Sequence, residues 1–250
     1  MKIKVLGCHG SEGQKYKATS FLINDSIVID AGTIVSALPI KDLKKIKHIF
    51  ITHAHLDHIK DLAFLVDNLF GKIKKPIKIY GKKKTINAIQ KHLFNDVIWP
   101  DFSRLPSRSN PTMRFIPIKK IVKINGISIE PIAVNHTVES VGYIIKDGMA
   151  TLAITGDTGP TRGFWRRLKR EHHLKAIFAE VSFPSRKRLL AQDSLHYTPT
   201  TLARDLPTLE NNPRICIYHL KPPYVSDIIR EIHKISPKWY VLKLGKTIKI

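Results

Sequence analysis

The stretch Thr52-His53-Ala54-His55-Leu56-Asp57-His58 holds four residues able to bind metal within six positions. It lies between a predicted strand and a predicted helix. Side chains alternate along extended backbone, so His53 and His55 point the same way. Asp57 and His58 lie where the chain enters the helix, and they can face a second ion. A cluster of surface histidines would not need this placement, so the stretch predicts a metal site.

Three further segments carry a single ligand-type residue just after a predicted strand. They are Asn135-His136-Thr137, Thr155-Gly156-Asp157-Thr158 and Tyr218-His219-Leu220. Each alone is more readily a structural residue, but ligands at strand ends are held by the sheet and suit a preorganised site. Together with the histidine-rich stretch, they predict a site for two metal ions.

The hydrophobic pattern predicts strands followed by helices, twice along the chain. Short β-branched runs between turn residues predict strands, and apolar residues at helical spacing predict helices. The predicted strands are Ile3–Leu6, Ser20–Ile23, Ile27–Ile29, His48–Ile51, Lys78–Tyr80, Arg114–Ile118, Ile121–Ile124, Ile127–Val134, Val141–Ile145, Ala150–Ile154, Ala176–Ala179 and Ile215–Tyr218. The predicted helices are Asp57–Phe70, Thr85–Phe94, Arg162–Arg170, Thr200–Leu206 and Val225–Ile235. This order predicts an α+β fold in which two β-rich halves pack together with helices outside.

The composition fits one domain over residues 1–250, with 43% hydrophobic residues, and excludes a disordered chain. Cys8 and Cys216 are too few for a disulfide scaffold. No apolar run reaches the roughly 18–20 residues that a membrane span needs. We therefore expect a cytoplasmic protein with no membrane partner, and we leave open whether it forms a homodimer.

The chain carries 42 basic and 20 acidic residues, a formal net charge of +22. Such a charge attracts polyanions, among them nucleic acids. The alternative is a lysine-rich, solvated surface, which the low share of arginine favours. The densest run, Lys72–Lys84, contains seven lysines and no platform of aromatic side chains for stacked bases, so we interpret it as a solvated face.

The order of these motifs resembles that of the metallo-β-lactamase superfamily of hydrolases, from Met1 to about His219. The resemblance implies a four-layer αβ/βα sandwich of mixed sheets with helices outside. It also implies Asp30 as a structural hydrogen-bond acceptor near the site, the alternative being a turn residue. Two groups of metal ligands and a bridging carboxylate are implied. The first group is His53, His55 and His136, the second is Asp57, His58 and His219, and the bridge is Asp157. Nitrogen and oxygen ligands suit two Zn²⁺ ions, with Mn²⁺ or iron as alternatives.

Two features are similar to one branch of that superfamily. In its phosphodiesterases, a histidine followed two residues later by threonine reaches the substrate phosphate. His196, which is followed two residues later by Thr198, matches this pattern, and the resemblance implies the same role for it. The sequence H-x-H-L-D-H is similar to the signature of class II cyclic-nucleotide phosphodiesterases, whereas the tRNA 3′-processing branch usually has glycine in place of Leu56. Further segments similar to bacterial class II members are Trp99-Pro100-Asp101-Phe102, Gly156-Asp157-Thr158-Gly159-Pro160, Glu180-Val181-Ser182-Phe183 and His219-Leu220-Lys221-Pro222-Pro223. One residue departs from the signature: Asp61 stands where a small residue is expected.

The resemblance implies a dinuclear metal-dependent phosphodiesterase that hydrolyses 3′,5′-cyclic nucleotides, cyclic AMP or cyclic GMP, to 5′-nucleotides. Metal-bound water supplies the hydroxide that attacks phosphorus. Asp57 accepts a proton, and His196 stabilises the phosphoryl charge or protonates the leaving oxygen. The alternatives are an RNA-directed nuclease of the tRNase Z-like branch and a non-enzymatic nucleic-acid-binding protein. Only 20 residues separate His136 from Asp157, which leaves no room for the arm that grips tRNA.

Overall fold

The computed structural model describes residues 1–210 and 212–250. The strands are β1 Lys2–Gly7, β2 Ser20–Ile23, β3 Ile27–Ile29, β4 His48–Phe50, β5 Ile77–Gly81, β6 Met113–Pro117, β7 Val122–Ile124, β8 Ile127–Ala133, β9 Val141–Lys146, β10 Thr151–Ile154, β11 Leu174–Glu180, β12 Arg214–Tyr218, β13 Tyr240–Val241 and β14 Thr247–Lys249. They form two seven-stranded sheets in the orders β14-β1-β2-β3-β4-β5-β6 and β13-β12-β11-β10-β9-β8-β7. Both sheets are mixed, because strands β3 to β6 are parallel in the first sheet and β10 to β13 are parallel in the second.

The helices are α1 Ile40–Leu43, α2 Leu56–Ile59, α3 Asp61–Leu69, α4 Lys83–His92, α5 Arg162–Leu168, α6 Arg188–Asp193, α7 Pro199–Asp205 and α8 Val225–Ile235, with 3₁₀ turns at Ser185–Lys187 and Pro222–Tyr224. No helix among residues 1–210 and 212–250 combines the length and the apolar character needed to cross a membrane.

Three apolar layers set the architecture. The middle layer joins the two sheets and contains the rings of Phe21, Phe50 and Tyr143. The outer faces of the two sheets are covered separately: Leu65 of α3 belongs to the layer on the first sheet, and Ile228 of α8 belongs to the layer on the second. This burial, with helices on both outer faces, gives the four-layer αβ/βα sandwich that the sequence predicted.

The boundaries of β2, β3 and α8 coincide with those predicted, and most other elements differ by one or two residues. Four elements carried no prediction: α1, α6, β13 and β14. They are two to six residues long. Runs this short hold too few apolar positions to establish a period, so their pairing and packing decide them.

The prediction of one continuous helix over Asp57–Phe70 was wrong, because the structure has two helices there, α2 and α3, which are separated at Lys60. The amide of Asp61 donates to the carbonyl of Ala31 at 2.9 Å instead of continuing the helical ladder. Gly32 packs against the Asp57 carbonyl so closely that a Cβ at this position would lie 2.1 Å from its oxygen. The loop that contains Gly32 therefore occupies the space around the Asp57 carbonyl, which would accept the hydrogen bond of the Asp61 amide in a continuous helix.

Asp61, the residue that departs from the class II signature, ties this loop to the start of α3. Its carboxylate accepts hydrogen bonds from the amides of Ile34 at 2.5 Å and Val35 at 2.9 Å, and from Lys60 Nζ at 2.8 Å. Asp61 is buried, so these bonds compensate the desolvation of its charge. Loop 31–35 is thereby fixed beside the first metal-binding motif.

Candidate metal centre

The residues predicted as metal ligands meet at one edge of the sandwich, where strands of both sheets end. His53 follows β4, and His136, Asp157 and His219 follow β8, β10 and β12. His55, Asp57 and His58 come from the turn into α2 and from α2 itself. Because the carboxyl ends of parallel strands meet at one edge of a sheet, residues more than 160 positions apart in sequence become neighbours.

The ligand-type atoms form two groups, within each of which they lie within 4.8 Å of one another. The first is His53, His55 and His136, and the second is Asp57, His58, Asp157 and His219. Asp157 faces both groups: its Oδ2 lies 3.0 Å from His219 Nε2, 3.3 Å from His58 Nε2 and 3.8 Å from His53 Nε2. The structure therefore brings together the seven residues implied as ligands, while their roles as ligands and bridge stay predictions.

Four buried polar atoms at the centre have no hydrogen-bond partner among residues 1–210 and 212–250. They are Nε2 of His53, His58 and His219, and Oδ1 of Asp157. Leaving a buried polar group unsatisfied costs about 1–3 kcal/mol, so several at one point need a common partner. Imidazole nitrogens and carboxylate oxygens are ligands of divalent metals, and the donor set therefore fits a divalent metal centre.

Hydrogen bonds behind the ligands fix which imidazole nitrogen points inward. His58 Nδ1 donates to Asp30 Oδ2 at 2.8 Å, while the amide and hydroxyl of Thr52 donate to the same carboxylate. His53 Nδ1 lies 3.0 Å from Thr52 Oγ1. On the opposite wall, His219 Nδ1 lies 2.9 Å from Thr19 Oγ1. Such partners orient metal-binding histidines and select their tautomers.

His219 has a backbone conformation that residues other than glycine rarely adopt. Its φ is 68°, in the left-handed region. Its amide donates to the carbonyl of Cys8 at 2.7 Å. Gly10 passes directly over its ring, because a Cβ on Gly10 would come within 2.9 Å of His219 Nε2. The N-terminal loop therefore closes on this histidine from above and holds its strained geometry.

Charges in the centre shift the pKa values of the ligands in opposite directions. Burial holds the pKa of His53 well below its usual value, and the neighbouring His58 adds to that effect. Burial also disfavours a charged His58, but the carboxylates of Asp157, Asp30 and Asp57 outweigh it and raise its pKa well above the usual value. For Asp157, burial acts to raise the pKa, and the facing His219 and His58 hold it well below the usual range.

His196 lies beside the centre, where one of its ring nitrogens comes within 4.8 Å of ligand atoms of His136 and Asp157. Its Nδ1 lies 2.9 Å from Glu180 Oε1 and 3.1 Å from Ser182 Oγ. Burial acts to lower the pKa of His196, but the charge and hydrogen bond of Glu180 raise it above the usual value. Because Nδ1 is engaged, Nε2 is the nitrogen left for a ligand in the site.

Glu180 had no role in the sequence analysis. It ends β11, is fully buried, and also accepts hydrogen bonds from the amides of Thr158 at 3.1 Å and Tyr197 at 3.2 Å. The segment Glu180–Phe183 is similar to class II enzymes. An acid directly after the apolar run Ala176–Ala179 is the signal that the sequence offers for Glu180.

Comparison with known proteins is consistent with this geometry. Residues 36–218 match the family model described as cAMP phosphodiesterases class-II. A 3′,5′-cyclic-nucleotide phosphodiesterase of Aliivibrio fischeri is 28% identical over 263 aligned positions, which cover 81% of this chain and 74% of that protein. A ribonuclease Z of Pyrococcus abyssi is 31% identical over 104 positions, 41% of this chain and 32% of that protein.

Solved structures share the fold. Unliganded yeast PDE1 superposes with a TM-score of 0.82 at 20% identity, over 100% of this chain and 99% of that chain. The metallo-β-lactamase fold protein YhfI from Bacillus subtilis gives a TM-score of 0.75 at 18% identity, over 99% and 98% of the two chains. The expected metallo-β-lactamase fold is therefore confirmed.

We expect Asp30→Asn to lower the affinity for Zn²⁺ roughly 10- to 100-fold, the usual effect of losing a partner that orients a metal-binding histidine. Competition with a chromogenic chelator measures this affinity. The matched control is Asp25→Asn, since Asp25 is also an aspartate at positive φ, 61° against 57°, but lies at an exposed turn. Equal affinities of Asp30→Asn and the unaltered protein would refute the orienting role of Asp30.

Proposed function

Because this chain belongs to the class-II cAMP phosphodiesterase family, we propose that it is a dinuclear metal-dependent enzyme that hydrolyses 3′,5′-cyclic nucleotides to 5′-nucleotides. The observation that carries this proposal is the position of Asp157, whose carboxylate faces the buried imidazoles of His53, His58 and His219 and lies within reach of His196. The name of the Aliivibrio fischeri relative supports the substrate class. A cytoplasmic location stays a prediction, and whether the protein forms a homodimer stays open.

Two ions fit the ligands as two overlapping sets. His53, His55 and His136 would hold one ion, Asp57, His58 and His219 would hold the other, and Asp157 would bridge them. Zn²⁺ is the first choice for this nitrogen and oxygen set, ahead of Mn²⁺ or iron. When bound, such a pair of ions supplies an activated water and neutralises charge on the phosphoryl oxygens.

In this proposal, Asp57 accepts a proton from the attacking water. Its side chain is 25% exposed, whereas Asp157 is 2% exposed. Its Oδ2 lies 3.7 Å from His219 Nε2 and 3.9 Å from His58 Nε2. It therefore borders both the ligand cluster and the solvent from which water and substrate enter.

In this proposal, His196 acts on the substrate phosphate. Glu180 holds its Nδ1, so the ring keeps one orientation and presents Nε2 to the site. There it can hydrogen-bond a phosphoryl oxygen and give a proton to the departing 3′ oxygen. Glu180 is itself fixed by two backbone amides, which makes it a positioning residue for His196.

An RNA-directed nuclease is the second candidate, and it draws on the ribonuclease Z relatives. The likeness to the Pyrococcus abyssi protein covers 41% of this chain. Between His136 and Asp157, the hairpin of β9 and β10 occupies most of the chain, so this interval carries no inserted arm. A non-enzymatic nucleic-acid-binding protein would not need the buried, unsatisfied ligand atoms of the centre.

A substrate panel tests the proposal. Metal-stripped protein is reloaded with Zn²⁺ or Mn²⁺ and given cyclic AMP, cyclic GMP, 2′,3′-cyclic nucleotides, bis(p-nitrophenyl) phosphate and a pre-tRNA. We expect turnover of the 3′,5′-cyclic nucleotides to 5′-nucleotides, seen by chromatography, only after metal is restored. Cleavage of pre-tRNA without turnover of cyclic AMP or cyclic GMP would transfer the assignment to the second candidate.

His196→Ala should lower kcat on the best substrate of that panel by roughly 10²- to 10⁴-fold, the range for a general acid–base group. Metal content should be unchanged, because His196 is outside the two proposed ligand sets. His92→Ala is the matched control, since His92 is exposed at the end of α4. Full activity of His196→Ala would remove its proposed role, and loss of metal would make it a ligand instead.

A further inference from the structure

A cavity of about 490 Å³ opens at the opposite end of the first sheet from the metal centre. Its lining contains four cationic side chains, one histidine and no carboxylate. The lining residues are Lys47, His48, Lys75, Pro76, Lys78 and Arg114. We call it the basic pocket. Two of its lysines belong to the Lys72–Lys84 run that the sequence analysis interpreted as a solvated face.

Strand register brings three of these side chains together. His48 of β4 is in register with Lys78 of β5, and Lys78 is in register with Arg114 of β6. In-register residues of neighbouring strands project from the same face of a sheet. Like charges in such adjacent positions repel and destabilise the sheet. The register therefore concentrates positive charge at a place where that charge lowers the stability of the fold.

The repulsion in the basic pocket is not relieved by acids. Within residues 1–210 and 212–250, no carboxylate forms an ion pair with Lys47, Lys75, Lys78 or Arg114. Lys47 Nζ donates to the carbonyl of Lys44 at 2.6 Å, and Arg114 donates to the carbonyl of Ser109 at 3.1 Å. Carbonyl groups satisfy these donors but leave their charge uncompensated.

His48 adds a polar group to the pocket without adding a charge. It is partly buried, and its Nδ1 lies 3.2 Å from the hydroxyl of Tyr80. Burial lowers the pKa of His48, and the neighbouring Lys78 and Lys47 lower it further. The charged form of the imidazole is therefore disfavoured, and the ring can serve as a hydrogen-bond partner beside the cations.

The basic pocket is separate from the metal centre. It borders the starts of β4, β5 and β6, whereas the metal ligands follow strand ends. His48 and His53 are five positions apart on one segment, which corresponds to about 16 Å of extended chain. A cyclic mononucleotide at the centre would not reach the pocket.

We propose that the basic pocket is a second binding site, which takes a small anion carrying two or more phosphate groups, such as inorganic pyrophosphate or a nucleoside triphosphate. Its volume is in the range of small-molecule sites. The Arg114 guanidinium can bind phosphate oxygens in pairs, and the lysines add point charges. The lining contains no phenylalanine, tyrosine or tryptophan on which the bases of a nucleic-acid strand would stack. This site goes beyond the proposed phosphodiesterase activity and does not depend on it.

Calorimetry on the metal-free full chain tests the proposal with four probes: orthophosphate, pyrophosphate, ATP and a single-stranded RNA oligomer. We expect pyrophosphate and ATP to bind with one site per chain, and orthophosphate to bind at least 10-fold more weakly. Lys78→Gln/Arg114→Gln should weaken pyrophosphate binding at least 10-fold. The control Lys91→Gln/Arg204→Gln, which removes the same charge from exposed helix positions, should bind as the unaltered protein does.

Thermal unfolding shows whether the variants keep the fold. Without a ligand, Lys78→Gln/Arg114→Gln should melt at the same or a higher temperature, because it relieves repulsion, and pyrophosphate should no longer raise its Tm. The single variant Lys75→Gln, in an exposed loop, should weaken pyrophosphate binding several-fold. Two results with the variants would overturn the proposal: normal pyrophosphate binding by Lys75→Gln, or equally weakened pyrophosphate binding by both double variants. Two results with the probes would also overturn it: orthophosphate binding as tightly as pyrophosphate, or binding of RNA alone.

Discussion

The buried carboxylate of Asp157, with imidazoles on two sides, sets the arrangement of the strands around it. A buried charge is tolerated only with close compensation, which a divalent ion held by Asp157, His58 and His219 would provide: His219 Nε2 lies 3.0 Å and His58 Nε2 3.3 Å from Asp157 Oδ2. This compensation requires that strands from both sheets end at one edge, since His58 follows the first sheet and the other two residues follow strands of the second. The left-handed backbone of His219 and the contact between Asp30 and His58 hold the two imidazoles in place beside Asp157. A metal centre then uses the nitrogen and oxygen atoms that hydrogen bonding leaves unsatisfied.

Much of the candidate site could be predicted from sequence because its residues follow strands whose periodicity is strong. His53 and His55 came from alternation, and Asp157 and His219 came from their positions after apolar runs. Glu180 could not be assigned in this way, because its partner His196 is sixteen residues away and only the fold brings Oε1 within 2.9 Å of Nδ1. The break between α2 and α3 was missed for a related reason. It depends on Gly32 pressing on the Asp57 carbonyl, a contact between loops that no local period encodes.

The net charge of +22 acquires a distribution in the structure that composition could not supply. Sequence showed a lysine run, and strand register shows that Lys78 of that run lies between His48 and Arg114. Positive charge is thus placed at the start of the first sheet, while the acids Asp57 and Asp157 lie at the opposite end in the metal centre. Attraction of anions to this protein consequently has two separate origins, one from proposed metal ions and one from side chains.

Anomalous diffraction from crystals grown with Zn²⁺ measures directly whether Asp157 is shared by two metal ions, as we propose. We expect two peaks in each chain, about 3.5–4 Å apart as in other two-metal sites. One peak should lie among His53, His55 and His136, the other should lie among Asp57, His58 and His219, and Asp157 should lie between them. A single peak, or two peaks that do not share Asp157, would refute the proposed dinuclear site.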